Sequence, residues 1–295
     1  MSEKSVSSTA FTVLQGLLYV GLYSNHRYLV SEETRLNAQK ILSMSQEGAK
    51  RLTQCNSTLY HRIADVQEWA LLPGIRLHYA LRKSRIEQIT EQAIADGYTQ
   101  IVNLGAGFDC LLWQLHSKYK PINFIEIDHP TTSQYKQSAL VKTVDSDNFH
   151  FLEVDFSHQN LQTELNQCSG FNPELNTLFI AEGVLMYLSE NDIRLLFESM
   201  AKLTQQECLF CFTSLEPPQS DKNNMRSLLQ LYLKAVGEPL NFTLASQDMS
   251  SFLTSVNADL IAMSDTNKMV NEFIKEPLNQ RLHHGEYVVL SKIKR

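Results

Sequence analysis

Apolar positions along the chain change period near residue 100. From Thr9 to about Ser84 they recur at helical spacing, interrupted near Ser24–Arg27 and at Pro73-Gly74. Ser84–Asp96 carries Ile86, Ile89, Ala93 and Ile94 on one face and stops at Gly97, as an amphipathic helix does. Short apolar runs between polar turns follow: Gln100–Leu104, Asn123–Ile127, Phe149–Val154, Thr177–Ala181, Glu207–Thr213, Leu260–Met263 and Tyr287–Leu290. Runs of this kind suit strands buried in a sheet. Helical stretches separate them. In Ser189–Leu203, Ser189 and Asp192 form a capping box, and Ile193, Leu196, Phe197 and Met200 make one face. Ser246–Val256 reads as a helix ahead of the sixth strand. The alternation predicts an α/β fold, a doubly wound Rossmann-like sheet of seven strands with the last strand antiparallel beside the sixth. Residues 1–84 read as a helical N-terminal cover and 85–295 as the core, together one integrated domain. Residues 219–245 form an insertion after strand five. Met225–Val236, closed by Gly237 and Pro239, predicts a helix there, at the carboxyl end of a strand where a lid would sit.

The first strand breaks into Gly105 and Gly107, and Leu111, Leu112 and Leu115 resume at helical spacing. Strand, glycine turn, helix is the nucleotide-binding layout of doubly wound proteins. The third glycine of the dinucleotide fingerprint is absent, because Cys110 stands in its place. Asp109 lies at the mouth of the helix, where a carboxylate repels a pyrophosphate. A ligand with no phosphate and a positive charge suits that mouth, and S-adenosylmethionine meets both conditions. Asp128 ends the second strand 23 residues beyond Gly105. An acid that accepts the ribose hydroxyls is expected there. Glu126 shares its strand face, but the strand end favours Asp128.

Asn103, Gly105, Gly107 and Asp109, then Glu126, Asp128 and Pro130, then Asp155-Phe156, then Glu182, Gly183, Tyr187 and Leu188 occur in that order. From about Arg82 to Leu203 the chain resembles the leucine carboxyl methyltransferase family of class I S-adenosylmethionine-dependent methyltransferases. The resemblance implies roles. Arg82, with Arg85 as the alternative, would contact the carboxylate of the cofactor's methionine part. Asp155 and Phe156 would flank the adenine. Glu182 would sit near the cofactor's amino group or sulfonium, and Tyr187, beginning the next helix, would line the methyl-transfer side. The N-terminal helices would cover the cofactor and shape the acceptor pocket. The acceptor would be a carboxylate or hydroxyl of a small molecule, or a protein C-terminus. A carboxylate is ionised at neutral pH and needs no general base, and no histidine–carboxylate dyad stands out. Arg76, Tyr79, Arg82, Arg85 and Tyr187 are candidates to orient it. For a hydroxyl acceptor the base would be His61 or His78. Two other classes stay open: a nicotinamide-dependent oxidoreductase on the same layout, and a non-catalytic cofactor-binding protein.

Composition narrows the picture further. The chain has 295 residues, 43% hydrophobic and 20% charged, as soluble globular proteins do. A net charge of −6 argues against non-specific nucleic-acid binding. Five scattered cysteines fit a reduced, cytoplasmic setting. Cys208 and Cys211 lie three apart in a predicted strand, so their thiols face opposite ways and no metal site is expected. His283-His284-Gly285 reads as a loop with no ligand partners at metal spacing. Ala10–Tyr23 is apolar but too short to span a bilayer, and reads as a helix packed on the domain.

Overall fold

The computed structural model describes residues 7–140, 146–156, 159–225, 240–278 and 280–294. Among the described residues five α-helices precede the first strand: α1 Ser8–Tyr23, α2 Glu32–Ser43, α3 Gln46–Cys55, α4 Thr58–Leu71 and α5 Ile75–Ala95. The breaks at Ser24–Arg27 and Pro73-Gly74 are present, but two more occur, after Ser43 and after Cys55. Serine side chains cause them. Ser45 and Ser57 each accept a backbone N–H from the first turn of the following helix, as Ser7 does for α1 and Ser31 for α2. Such a cap favours a new start over continuation. Helix α5 is unbroken from Ile75, so the expected division at residue 84/85 falls inside one helix. Gly74 enters it with φ +78°, a left-handed conformation that glycine takes without strain. Among the described residues no helix is long and apolar enough to cross a membrane.

The sheet then builds in order: β1 Gln100–Leu104, α6 Leu111–Lys118, β2 Asn123–Asp128, α7 Pro130–Leu140, β3 Phe149–Glu153, α8 Leu161–Gln167, β4 Thr177–Ala181, α9 Glu190–Leu203, β5 Cys208–Leu215, α10 Met249–Ser255, β6 Ala258–Ser264, α11 Thr266–Phe273 and β7 Glu286–Ile293. All seven expected strands form one sheet, in the order β3-β2-β1-β4-β5-β7-β6. β1 to β5 are parallel, and β7 runs antiparallel between β5 and β6. Strand side chains alternate between two cores. Ile101, Phe124, Leu178 and Cys211 pack with α1, α5 and α6 residues on one face. Val102, Ile125, Phe179 and Cys208 pack with α8, α9 and α10 residues on the other. Cys208 and Cys211 thus serve opposite cores. The capping box of Ser189 and Asp192 starts α9. Most of the expected helix Met225–Val236 lies outside the described residues.

Candidate functional site

Strands β1, β2 and β4 end together, and at these ends opens a cavity of about 1100 Å³. The glycine turn forms its floor. Gly105 and Gly107 both have positive φ, +64° and +51°. A Cβ on Gly105 would lie 2.6 Å from Val184 Cγ2, so the turn admits no side chain there. Five of the seven amides from Gly105 to Leu111 are already engaged. Gly105 N and Ala106 N donate to Ile127 O at 2.8 and 3.1 Å, and Asp109 N donates to Ala106 O at 2.9 Å. Gly107 N donates to Asp128 Oδ2 at 2.6 Å, and Leu111 N to Asp109 Oδ1 at 3.1 Å. These N–H groups are not open for a pyrophosphate.

Asp128 takes a second amide, from His129, on Oδ1 at 2.7 Å. Burial pushes its carboxyl upward, opposed by the two amides. Each oxygen keeps a lone pair for a ligand hydroxyl. Asp109 accepts the first amide of α6, from Leu111, and faces Lys83 across 3.0 Å. Burial would raise its pKa, but Lys83 and Lys136 outweigh burial and hold it below the usual carboxylate range.

A buried chain of charge crosses the cavity wall. Arg82 Nε donates to Glu182 Oε1 at 2.7 Å, and Arg82 Nη1 to both oxygens of Glu286 at 2.8 and 2.7 Å. Lys83 Nζ donates to Glu182 Oε2 at 2.6 Å. His78 Nε2 lies 2.9 Å from Glu286. Burial disfavours the charges of Arg82, Lys83 and Glu286, and pairing reverses that: Arg82 and Lys83 are pushed up, Glu286 well down.

The expected residues sort unevenly. Arg82, Gly105, Gly107, Asp109, Asp128, Glu182 and Tyr187 all line the cavity. Arg85 does not. One turn further along α5, about 4.5 Å of rise, it turns to Gln88 and to Glu272 of α11. Arg76 also leaves, to Asp65 and Glu68 of α4. Asp155 and Phe156 are not in the cavity wall. Asp155 Oδ2 lies 3.7 Å from Nε2 of His129, which does line the cavity, and Phe156 is 48% exposed. Tyr187 closes a single 3-10 turn, Leu185–Tyr187, rather than opening α9. Glu182 already has Arg82 and Lys83 as partners, so it needs no ligand to neutralise it. His61 is held by Cys55 O at 2.7 Å and His78 by Glu286, and neither lines the cavity.

Sequence reasoning missed Lys83, His283 and Glu286. His283, expected in a plain loop, is 2% exposed, lines the cavity and packs edge-on to His78 at 4.9 Å. Burial and His78 push its pKa down to about 3. The signal for Glu286 was a charged residue opening an apolar strand. Tyr79 packs against Arg82, and burial pushes its phenol upward, so it stays an O–H donor. Cys110 is pushed up to about 12 by burial and is no thiolate. Among the described residues no group of three or more His, Cys, Asp or Glu side chains is placed to hold a metal ion.

The family model described as leucine carboxyl methyltransferase matches residues 33–201. Leucine carboxyl methyltransferase 1 of Caenorhabditis elegans is 27% identical over 170 residues, covering 48% of this chain and 51% of that protein. Leucine carboxyl methyltransferase 1 of Candida albicans is 25% identical over 151 residues, covering 41% of each. The chain spans about half the length of the curated relatives it matches. Among solved structures, magnesium protoporphyrin IX methyltransferase of Synechocystis with bound S-adenosylhomocysteine superposes with a TM-score of 0.46 at 12% identity, covering 73% of this chain and 84% of that one.

Proposed function

The chain belongs to the leucine carboxyl methyltransferase family, and on that footing we propose that it transfers a methyl group from S-adenosylmethionine to a carboxylate oxygen of its acceptor. One observation carries the reading. A single cavity joins the glycine turn, Asp128 and the buried charges around Glu182, while the amides of Gly105, Ala106 and Gly107 are spent. Such a site suits an adenosyl ligand that has ribose hydroxyls and an amino-acid end but no phosphate. The same spent amides, with Asp109 at the helix mouth, speak against a nicotinamide dinucleotide.

When bound, the cofactor supplies an electrophilic methyl carbon on sulfur. The chain's own task is to hold, aim and keep dry. Asp128 accepts the ribose hydroxyls, and Arg82 meets the carboxylate of the methionine part. Asp155, 3.7 Å from His129, and Phe156 would flank the adenine from outside the cavity wall. Helix α1 and the first turns of α5 wall the acceptor side, through Leu14, Leu17, Ile75 and Tyr79. Tyr79 and Tyr187 present phenols that orient the acceptor oxygen.

The carboxylate acceptor is favoured over a hydroxyl because the cavity offers no suitable base among the described residues. His283 is the histidine on the acceptor side, and a pKa near 3 makes it too weak to take a hydroxyl proton at neutral pH. The acceptor is either a small carboxylic acid or a chain terminus. Isothermal titration with S-adenosylmethionine, S-adenosylhomocysteine and NADH tests the class, followed by methyl transfer to a panel of carboxylates. Binding of NADH in preference to the sulfur ligands would overturn it.

A further inference from the structure

Lys83 follows Arg82 directly, and consecutive helical residues point roughly 100° apart. Both nevertheless converge on one carboxylate. Arg82 takes Oε1 of Glu182, and Lys83 takes Oε2. Lys83 reaches on to Asp109 Oδ1 at 3.0 Å, so its ammonium ties the end of β4 to the mouth of α6. The glycine turn runs from the end of β1, the strand paired with β4, to that same mouth. We propose that Lys83 binds the α-carboxylate of the cofactor beside Arg82, and so sets a preference for adenosyl ligands with an amino-acid end over those without one. The proposal rests on the S-adenosylmethionine reading of the site.

Donor counting supports it. An ammonium carries three N–H groups. Glu182 and Asp109 take two, and Lys83 lines the cavity with its side chain 17% exposed. The third N–H is available to a ligand oxygen there. Arg82 has Nε and Nη1 committed to Glu182 and Glu286. Only Nη2 of Arg82 remains for a carboxylate, which has two oxygens to satisfy. The order of charge along the wall is Glu286, Arg82, Glu182, Lys83, Asp109. Negative and positive alternate, which matches an ammonium and a carboxylate carried on one carbon. Asp109 and Glu182 outweigh burial and keep Lys83 charged.

The competing account makes Lys83 a strut that only neutralises Asp109 and Glu182. The two accounts differ in which ligands they affect. Losing a strut loosens the whole cleft and weakens every ligand alike. Losing a carboxylate partner weakens only ligands that carry the carboxylate. S-adenosylhomocysteine is a net-neutral zwitterion, so a change in the site's total charge acts little on it. 5′-Methylthioadenosine has the same adenosyl thioether and no amino-acid end.

The experiment is isothermal titration of the full chain and of Lys83→Met with these two compounds, with thermal melting as the folding control. Lys83→Met should bind S-adenosylhomocysteine at least about tenfold more weakly, the equivalent of 1.4 kcal/mol, and 5′-methylthioadenosine within about twofold of wild type. Lys83→Gln, which keeps two N–H donors for Asp109 and Glu182 but no charge, should show the same split and serves where the methionine variant does not fold. Equal weakening of both compounds, or of neither, overturns the role of Lys83 and leaves the methyltransferase reading standing. A wild-type protein that binds neither compound overturns that reading and this proposal with it.

Discussion

Asp128→Ala removes the carboxylate on which the ribose assignment rests. Its two oxygens each accept one backbone amide, from Gly107 at 2.6 Å and His129 at 2.7 Å. That leaves one lone pair on each oxygen for a ribose hydroxyl. A hydrogen bond to a charged group is worth about 1.5–3 kcal/mol. Two such bonds at the low end give about 3 kcal/mol, on the order of a hundredfold in affinity. Titration of S-adenosylhomocysteine into wild type and variant at neutral pH measures it. The variant also strands two amides of the glycine turn, so part of any loss could come from a loosened turn. An analogue lacking the 2′- and 3′-hydroxyls separates the two causes. Wild type should prefer the hydroxylated ligand about a hundredfold on the same arithmetic, and Asp128→Ala should show almost no preference. A variant that keeps the wild-type preference refutes the ribose assignment, whatever its absolute affinity.

Three further outcomes follow from the same geometry. Gly105→Ala forces a Cβ to 2.6 Å from Val184 at φ +64°, and should cost about 2–4 kcal/mol of stability in denaturant melts. Arg85→Ala should leave cofactor affinity within about twofold, since its partners are Gln88 and, on α11, Glu272, whereas Arg82→Ala takes the guanidinium they share from buried Glu182 and Glu286 and should destabilise by about 3–5 kcal/mol. His283 is held neutral in the fold down to about pH 3, while the unfolded chain protonates it near 6.5. The unfolded state therefore binds more protons between those values, and stability should fall as pH drops through that window. His283→Gln should flatten the fall by a few kcal/mol at most. The difference between the two proteins isolates it from Glu126, whose pKa, raised by burial to about 7, acts in the opposite sense. Parallel pH curves for the two would contradict the assignment.

What the sequence made legible follows from how local its cause was. The seven strands could be placed because each is a short apolar run between polar turns, and period alone marks such runs. Gly105, Gly107, Asp109 and Asp128 were found because turn and strand end are fixed by neighbours in the chain. The serine-capped breaks at Ser45 and Ser57 were equally local, and were overlooked because the apolar period continues across them. Asp155 was legible as a strand-end acid, but not its distance from the cavity, which depends on His129 standing between. Arg85 was misplaced for a geometric reason. Arg82 and Arg85 share a helix face, yet one turn of rise carries the second past the strand ends to Glu272. Glu286 could not be tied to Arg82 in advance, because their pairing spans 204 residues and depends on β7 entering between β5 and β6.

That last dependence bears on why the N-terminal helices and the antiparallel strand belong to the site rather than to its surroundings. Glu182 ends a strand buried on all five positions, and an unpaired carboxylate there would be strongly disfavoured. Its neutralising cations come from α5, before the sheet begins. Arg82 brought into that wall leaves Nη1 to be satisfied, and Glu286 supplies both oxygens from β7, the last strand. Glu286 in turn takes His78, one helical turn before Arg82. Each buried charge thus requires the next, and the chain closes on α5 where it began. Loss of α5 or of β7 would strand charges at the cavity wall itself. The same closure explains how one helix can serve two ends of the cleft. The consecutive residues Arg82 and Lys83 leave α5 in different directions, one toward β7 and one toward the glycine turn, and Glu182 is the point at which both are held.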